Sequence, residues 1–176
     1  MKIKHLLSAA VLLISTLTIK AQAPTKLPCM SDPQMKDFDF WIGEWTVYDV
    51  TTKAEVGHSL IERVSGGCAI LENWTDHDGV NAGKSLNYVD RATHLWKQTW
   101  VGSEREGQQD FEGGEYKDGA MRFIFSQVNA RGIKVIGRFI FYNEGPDKVR
   151  QFNEVSADGG KTWTTQYNFS YIRKKK

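Results

Sequence analysis

From Glu44 to Ile172 the chain is a succession of about ten β-type runs, each rich in Val, Ile, Thr, Phe, Tyr and Trp. The runs cover 44–51, 55–64, 68–75, 83–90, 94–102, 108–116, 120–128, 133–142, 148–155 and 162–172. Between them stand short turn sequences such as Thr52-Lys53, Ser65-Gly66-Gly67, Lys117-Asp118-Gly119 and Asn129-Ala130-Arg131-Gly132. Connections this short force successive strands to pair antiparallel, and no helical crossover interrupts them. The expected fold is therefore all-β, an antiparallel meander. A meander of that length must hide its edges, either by closing into a barrel or by folding into two packed sheets. Closure is the simpler solution.

What precedes the strands reads differently. Met1 to about Ala23 has a basic start (Lys2, Lys4), an apolar run from Leu6 to Ile19, and small residues at Ala21 and Ala23. This is the layout of an export signal, cut after Ala21 or, as the alternative, after Ala23. Export would be to the periplasm or beyond the cell. The chain carries a net charge of +2, but Lys2, Lys4 and Lys20 leave with the signal and no acid does, so the mature protein stands near −1. Such a balance points to neither a nucleic acid nor a bilayer as partner. Cys29 and Cys68 are the only cysteines, and in an oxidising compartment they are candidates for one disulfide; two separate thiols are the alternative.

Residues 22–31 read as a flexible lead-in to one domain over 32–173, with 174–176 a basic tail. Ser31-Asp32-Pro33-Gln34 offers an N-cap followed by Pro in a first helical turn. A short helix is expected next, with Met35, Phe38, Trp41 and Ile42 on one face and Gly43 as its terminator.

The junction contains Gly43-Glu44-Trp45, and the last run ends Tyr171-Ile172-Arg173. This pairing resembles the lipocalin-like (calycin) barrels, in which a Gly-x-Trp on the first strand packs beneath an Arg after the last. The resemblance implies that Arg173 stacks on Trp45 and closes one barrel end. The stretches Gly66 to Thr75, Ser85-Leu86-Asn87-Tyr88 and Gln98-Thr99-Trp100 are similar to uncharacterised bacterial exported proteins of the DUF1579-like type, which implies a barrel but no activity. Nitrobindin-type barrels hold haem through a late His, and no His follows His94 here, so no haem or other cofactor is expected. Ser156-Ala157-Asp158-Gly159-Gly160-Lys161-Thr162-Trp163 matches the Asp-box of sialidase propellers. A single copy cannot build a propeller, and the motif is read as a hairpin held by Asp158 with Trp163 packed beneath.

Period-two reading places Ile70, Glu72 and Trp74 on one face, His94, Trp96, Gln98 and Trp100 on another, and Val149, Gln151, Asn153 and Val155 on a third. A purely packed core has no need of Glu72, Gln98 or Gln151 beside those tryptophans. If these faces point inward, they make an apolar chamber with a few polar anchors, a small-molecule site lined by Glu72, Trp74, Trp96, Gln98, Trp100 and Gln151. If they point outward, the polar groups merely face water.

Catalytic candidates are weaker. Glu72 or Glu62 would be the acid–base group, and His58 with Glu62 an interior pair. Asp76-His77-Asp78 reads as a solvated turn, and neither a metal spacing nor a nucleophile motif occurs. Three readings follow: a barrel binding a small apolar or amphipathic molecule, an enzyme of the same fold, and an interaction module with a filled core. The first is favoured.

Overall fold

The computed structural model describes residues 27–104, 107–129 and 131–175. The expected export signal, the part of the lead-in before Leu27 and the final Lys176 lie outside them. Ten strands follow one another: β1 Gly43–Asp49, β2 Glu55–Val64, β3 Ala69–Asp76, β4 Ala82–Val89, β5 Trp96–Gly102, β6 Gln109–Lys117, β7 Ala120–Val128, β8 Lys134–Asn143, β9 Lys148–Ser156 and β10 Thr164–Arg173. Each pairs antiparallel with its neighbours, and β10 returns to β1, closing the barrel. Closure leaves no free edge, the physical requirement the meander imposed. The two-sheet alternative does not occur.

Strand alternation sorts the residues cleanly. In β7, Met121, Phe123 and Phe125 are buried while Ile124, Ser126 and Val128 are exposed. In β4, Gly83, Ser85 and Asn87 are buried between exposed Ala82, Lys84 and Leu86. The wall bends at register shifts, including one between β5 and β6 after Trp96 and one between β6 and β7 after Glu112.

Before the strands, the expected single helix is two 3-10 turns, Pro33–Lys36 and Asp39–Trp41. Asp32 caps the first, accepting from the Gln34 N–H at 2.9 Å. The 3-10 period of three explains the change: it sets Phe38 and Trp41 one above the other, so that both rings enter the barrel end together. They stack at 5.0 Å, and Phe38 also meets Trp96 and Phe141. Both are fully buried. Met35, expected on the same face, is only half-buried.

The lead-in is likewise more ordered than expected at its end. Pro28–Ser31 forms one helical turn, and Cys29 is bonded to Cys68, with Cα atoms 5.0 Å apart. The disulfide ties this turn to the β2–β3 connection. Arg63, inward at the end of β2, donates to the carbonyls of Met35 and Gly67 and pairs with Asp39. The entering segment is thus fixed across one end, here called the plugged end. The opposite end, where the β1–β2, β3–β4, β5–β6, β7–β8 and β9–β10 turns lie, is the mouth.

Candidate functional site

The plugged half of the barrel is solid. Trp41, Trp45, Trp96, Phe123, Phe139, Phe141, Met121 and Tyr171 are buried there as one core. The Arg173 guanidinium lies 4.1 Å from the centre of the Trp45 ring and donates to the carbonyls of Ile42 and Pro146 at 3.0 and 2.7 Å. Gly43, at a φ of +142°, leaves room for it, since a Cβ there would run into the guanidinium. Trp45 in turn donates from Nε1 to the Trp41 carbonyl at 2.8 Å.

The mixed faces point inward. Glu72, Gln98, Gln151 and Asn153 are all buried, and so is Trp96, whereas Trp74 and Trp100 are half-buried towards the mouth. The expected apolar chamber is not what they form. Its lower part is the filled aromatic core, and above that lies a continuous polar belt centred on Glu72. Ser59 donates to Glu72 Oε1 and Ser85 to Oε2, both at 2.9 Å. Asn87 donates to Ser85 Oγ at 3.1 Å and to the Ile70 carbonyl at 3.2 Å, and Gln98 Nε2 donates to Asn87 Oδ1 at 2.6 Å. From the facing wall the Tyr171 hydroxyl lies 3.5 Å from Glu72 Oε1 and 3.3 Å from Gln151 Oε1.

Burial pushes the Glu72 carboxyl up to about 7, against the pull of its hydroxyl donors. No cation pairs with it among the described residues. The Tyr171 and Tyr167 phenols are held well above their ordinary value by burial and by the Glu72 charge. Both remain neutral donors at any physiological pH.

Over this belt stand the rings of the mouth. Trp74 leans back over Gly57 and Trp100 over Gly83, two positions where any side chain would collide with an indole. Tyr167 and Phe169 stack at 4.8 Å on the opposite wall. All four are half-buried and pack against the aromatic core from the mouth side. The Asp-box hairpin frames the same end: Asp158 accepts from the N–H groups of Lys161 and Thr162 at 3.0 and 2.9 Å and from Ser156 Oγ at 2.7 Å. Trp163 donates to the Gly160 carbonyl at 3.0 Å and carries Arg138 on its outer face at 3.8 Å.

The other candidates do not join this site. His58 and Glu62 point outward, because Ser59, Ile61 and Arg63 take the inward positions of β2. His58 pairs with Glu55 on the surface at 3.3 Å, and exposed Glu62 accepts from Asn73, so no interior acid–base pair exists between them. His94 is not on β5 but in the preceding turn at a φ of +56°, exposed, its carbonyl accepting from Gln34. His77 pairs with Glu55 and Asp76 holds the Val80 N–H, so that loop is a surface turn. Concavities of about 220 and 180 Å³ lie against the outer wall, one beside His58 and Lys174 and one beside Lys97 and Asp110.

Inspection of sequence faces missed Ser59, Ser85, Asn87 and Tyr171 as members of the site. A register argument reaches two of them: centring the β3–β4 hairpin on Asp78-Gly79 sets Glu72 opposite Ser85 and Ile70 opposite Asn87, as observed. No family model matches the chain, and no curated protein matches it. Among the described residues no helix is long and apolar enough to cross a membrane.

Proposed function

We propose that this is an exported, lipocalin-like barrel that binds a small, partly apolar molecule at its mouth. The observation that carries the reading is the placement of one buried carboxyl, networked to three hydroxyls, in a barrel half that also holds four half-buried aromatic rings. Apolar walls with a few convergent polar groups are the usual make-up of a ligand site. The filled-core alternative fits the plugged half but leaves the belt without a purpose, since a barrel core gains nothing from a carboxyl that burial disfavours. Export is supported by the leader-like start of the chain and by the Cys29–Cys68 pair, which suits an oxidising compartment. A catalytic role would rest on Glu72 and the hydroxyls of Ser59, Ser85 and Tyr171, with no His or second carboxyl beside them among the described residues.

The test is titration with the neutral apolar fluorophore N-phenyl-1-naphthylamine, read by quenching of tryptophan emission. Binding should saturate in the native protein and be lost in a Trp74→Ala, Trp100→Ala double variant, while Trp163→Phe behaves as native. Equal binding by the double variant would place the probe elsewhere and overturn the site.

A further inference from the structure

We propose that the molecule this mouth accepts is an organic cation, an ammonium group carried on a small apolar or aromatic frame, with Glu72 as its counter-charge. The inference rests on the binding reading above and narrows it to one ligand class. Its basis is the inventory of charge inside the barrel. Among the described residues Glu72 is buried with no basic partner, while two inward arginines, Arg63 and Arg173, sit at the plugged end and are engaged there by Asp39 and Asp147. A buried carboxylate without a cation carries a large desolvation cost, which an arriving ammonium would offset.

The remaining geometry agrees. Tyr171 has one hydroxyl hydrogen and two acceptors in reach, Glu72 Oε1 and Gln151 Oε1. With that hydrogen on the Gln151 side, Glu72 Oε1 keeps an acceptor position for an N–H donor from the ligand. Towards the mouth stand four half-buried aromatic residues, Trp74, Trp100, Tyr167 and Phe169, whose ring quadrupoles attract cations. An anion would meet a like charge and no base. A neutral molecule would gain ring contact but nothing from Glu72.

The pH dependence follows from the groups facing Glu72. Tyr167 and Tyr171 on β10 stay neutral, and Ser59 on β2, Ser85 on β4 and Gln151 on β9 do not titrate. Glu72 is therefore the group whose ionisation sets cation affinity, which should fall as the medium is acidified through about 7.

Three probes of one shape decide the matter: 2-phenylethylammonium, 2-phenylethanol and 3-phenylpropionate, titrated at pH 8 and pH 5.5 into the native protein and Glu72→Gln. The cation should bind about tenfold or more tighter than the alcohol at pH 8, and the acid most weakly. At pH 5.5 that advantage should shrink to about threefold or less, and in Glu72→Gln it should vanish at both. If the variant does not fold, the two-pH comparison in the native protein decides. Equal binding of amine and alcohol, with the naphthylamine probe still bound, overturns the cation assignment and leaves the binding barrel standing. No binding of any of the four compounds overturns both.

Discussion

The two ends of the barrel use tryptophan in opposite ways. At the plugged end Trp41 and Trp45 are wholly buried, Trp45 donating from Nε1 and covered by Arg173. At the mouth Trp74 and Trp100 rest against the bare backbone of Gly57 and Gly83 and are only half-buried. A ring locked by neighbours on every side contributes packing energy. One resting on bare backbone contributes less and keeps a face for something else. The lower half is thus the part that makes the barrel stable, and the upper half is where stability has been given up around Glu72.

The sharpest way to break that contrast is Trp41→Ala. Emptying a fully buried indole site should cost about 3–5 kcal/mol in denaturant unfolding. Trp41 Nε1 has no acceptor among the described residues, so Trp41→Phe should lose much less. Comparable losses for Trp41→Ala and Trp100→Ala would erase the distinction between the two ends.

Glu72 gives the next largest effect, and its sign is specific. Its carboxyl goes from an ordinary 4.5 in the unfolded chain to about 7 in the fold, so between those values the folded state holds the extra proton. The stabilising contribution is complete below about 4.5 and disappears as pH rises to about 7. That is roughly 3 kcal/mol by the linkage relation. Glu72→Gln should flatten this slope and unfold at higher denaturant than the native protein at pH 8. An unchanged pH profile in the variant would mean that Glu72 is ionised throughout.

How far the sequence reached divides along the same line. The ten strands and their turns were legible because each is a local pattern, β-branched and aromatic runs punctuated by Gly, Asp and Asn, and the barrel follows from the need to close them. Arg173 above Trp45 was legible only through a resemblance, since nothing local connects residues so far apart in the chain. Within a strand, alternation names two faces without saying which is inward; β2 shows the cost, because His58 and Glu62, expected inside, face out while Ser59 and Ile61 take the inward positions. The polar belt is a cross-strand object, visible only when register brings Ser59, Ser85 and Tyr171 to one carboxyl. The entering segment went astray because an apolar spacing of three and four serves an α-helix and a 3-10 turn equally.

The smallest effect tests whether the mouth rings are held by the wall. Gly83→Ala would set a methyl group into the plane now occupied by Trp100, whose ring must lift towards the mouth. The backbone of β4 is extended at this point and tolerates alanine, so the cost is overpacking alone, about 1–2 kcal/mol. The displaced indole would become more exposed, and its emission should shift to longer wavelength. Binding of the naphthylamine probe should weaken in the same variant, because the ring then occupies the space it had lined. A stability loss as large as that of Trp41→Ala, with unshifted emission, would mean that Trp100 is as firmly packed as the indoles of the plugged end, and that the mouth has no ring face to offer.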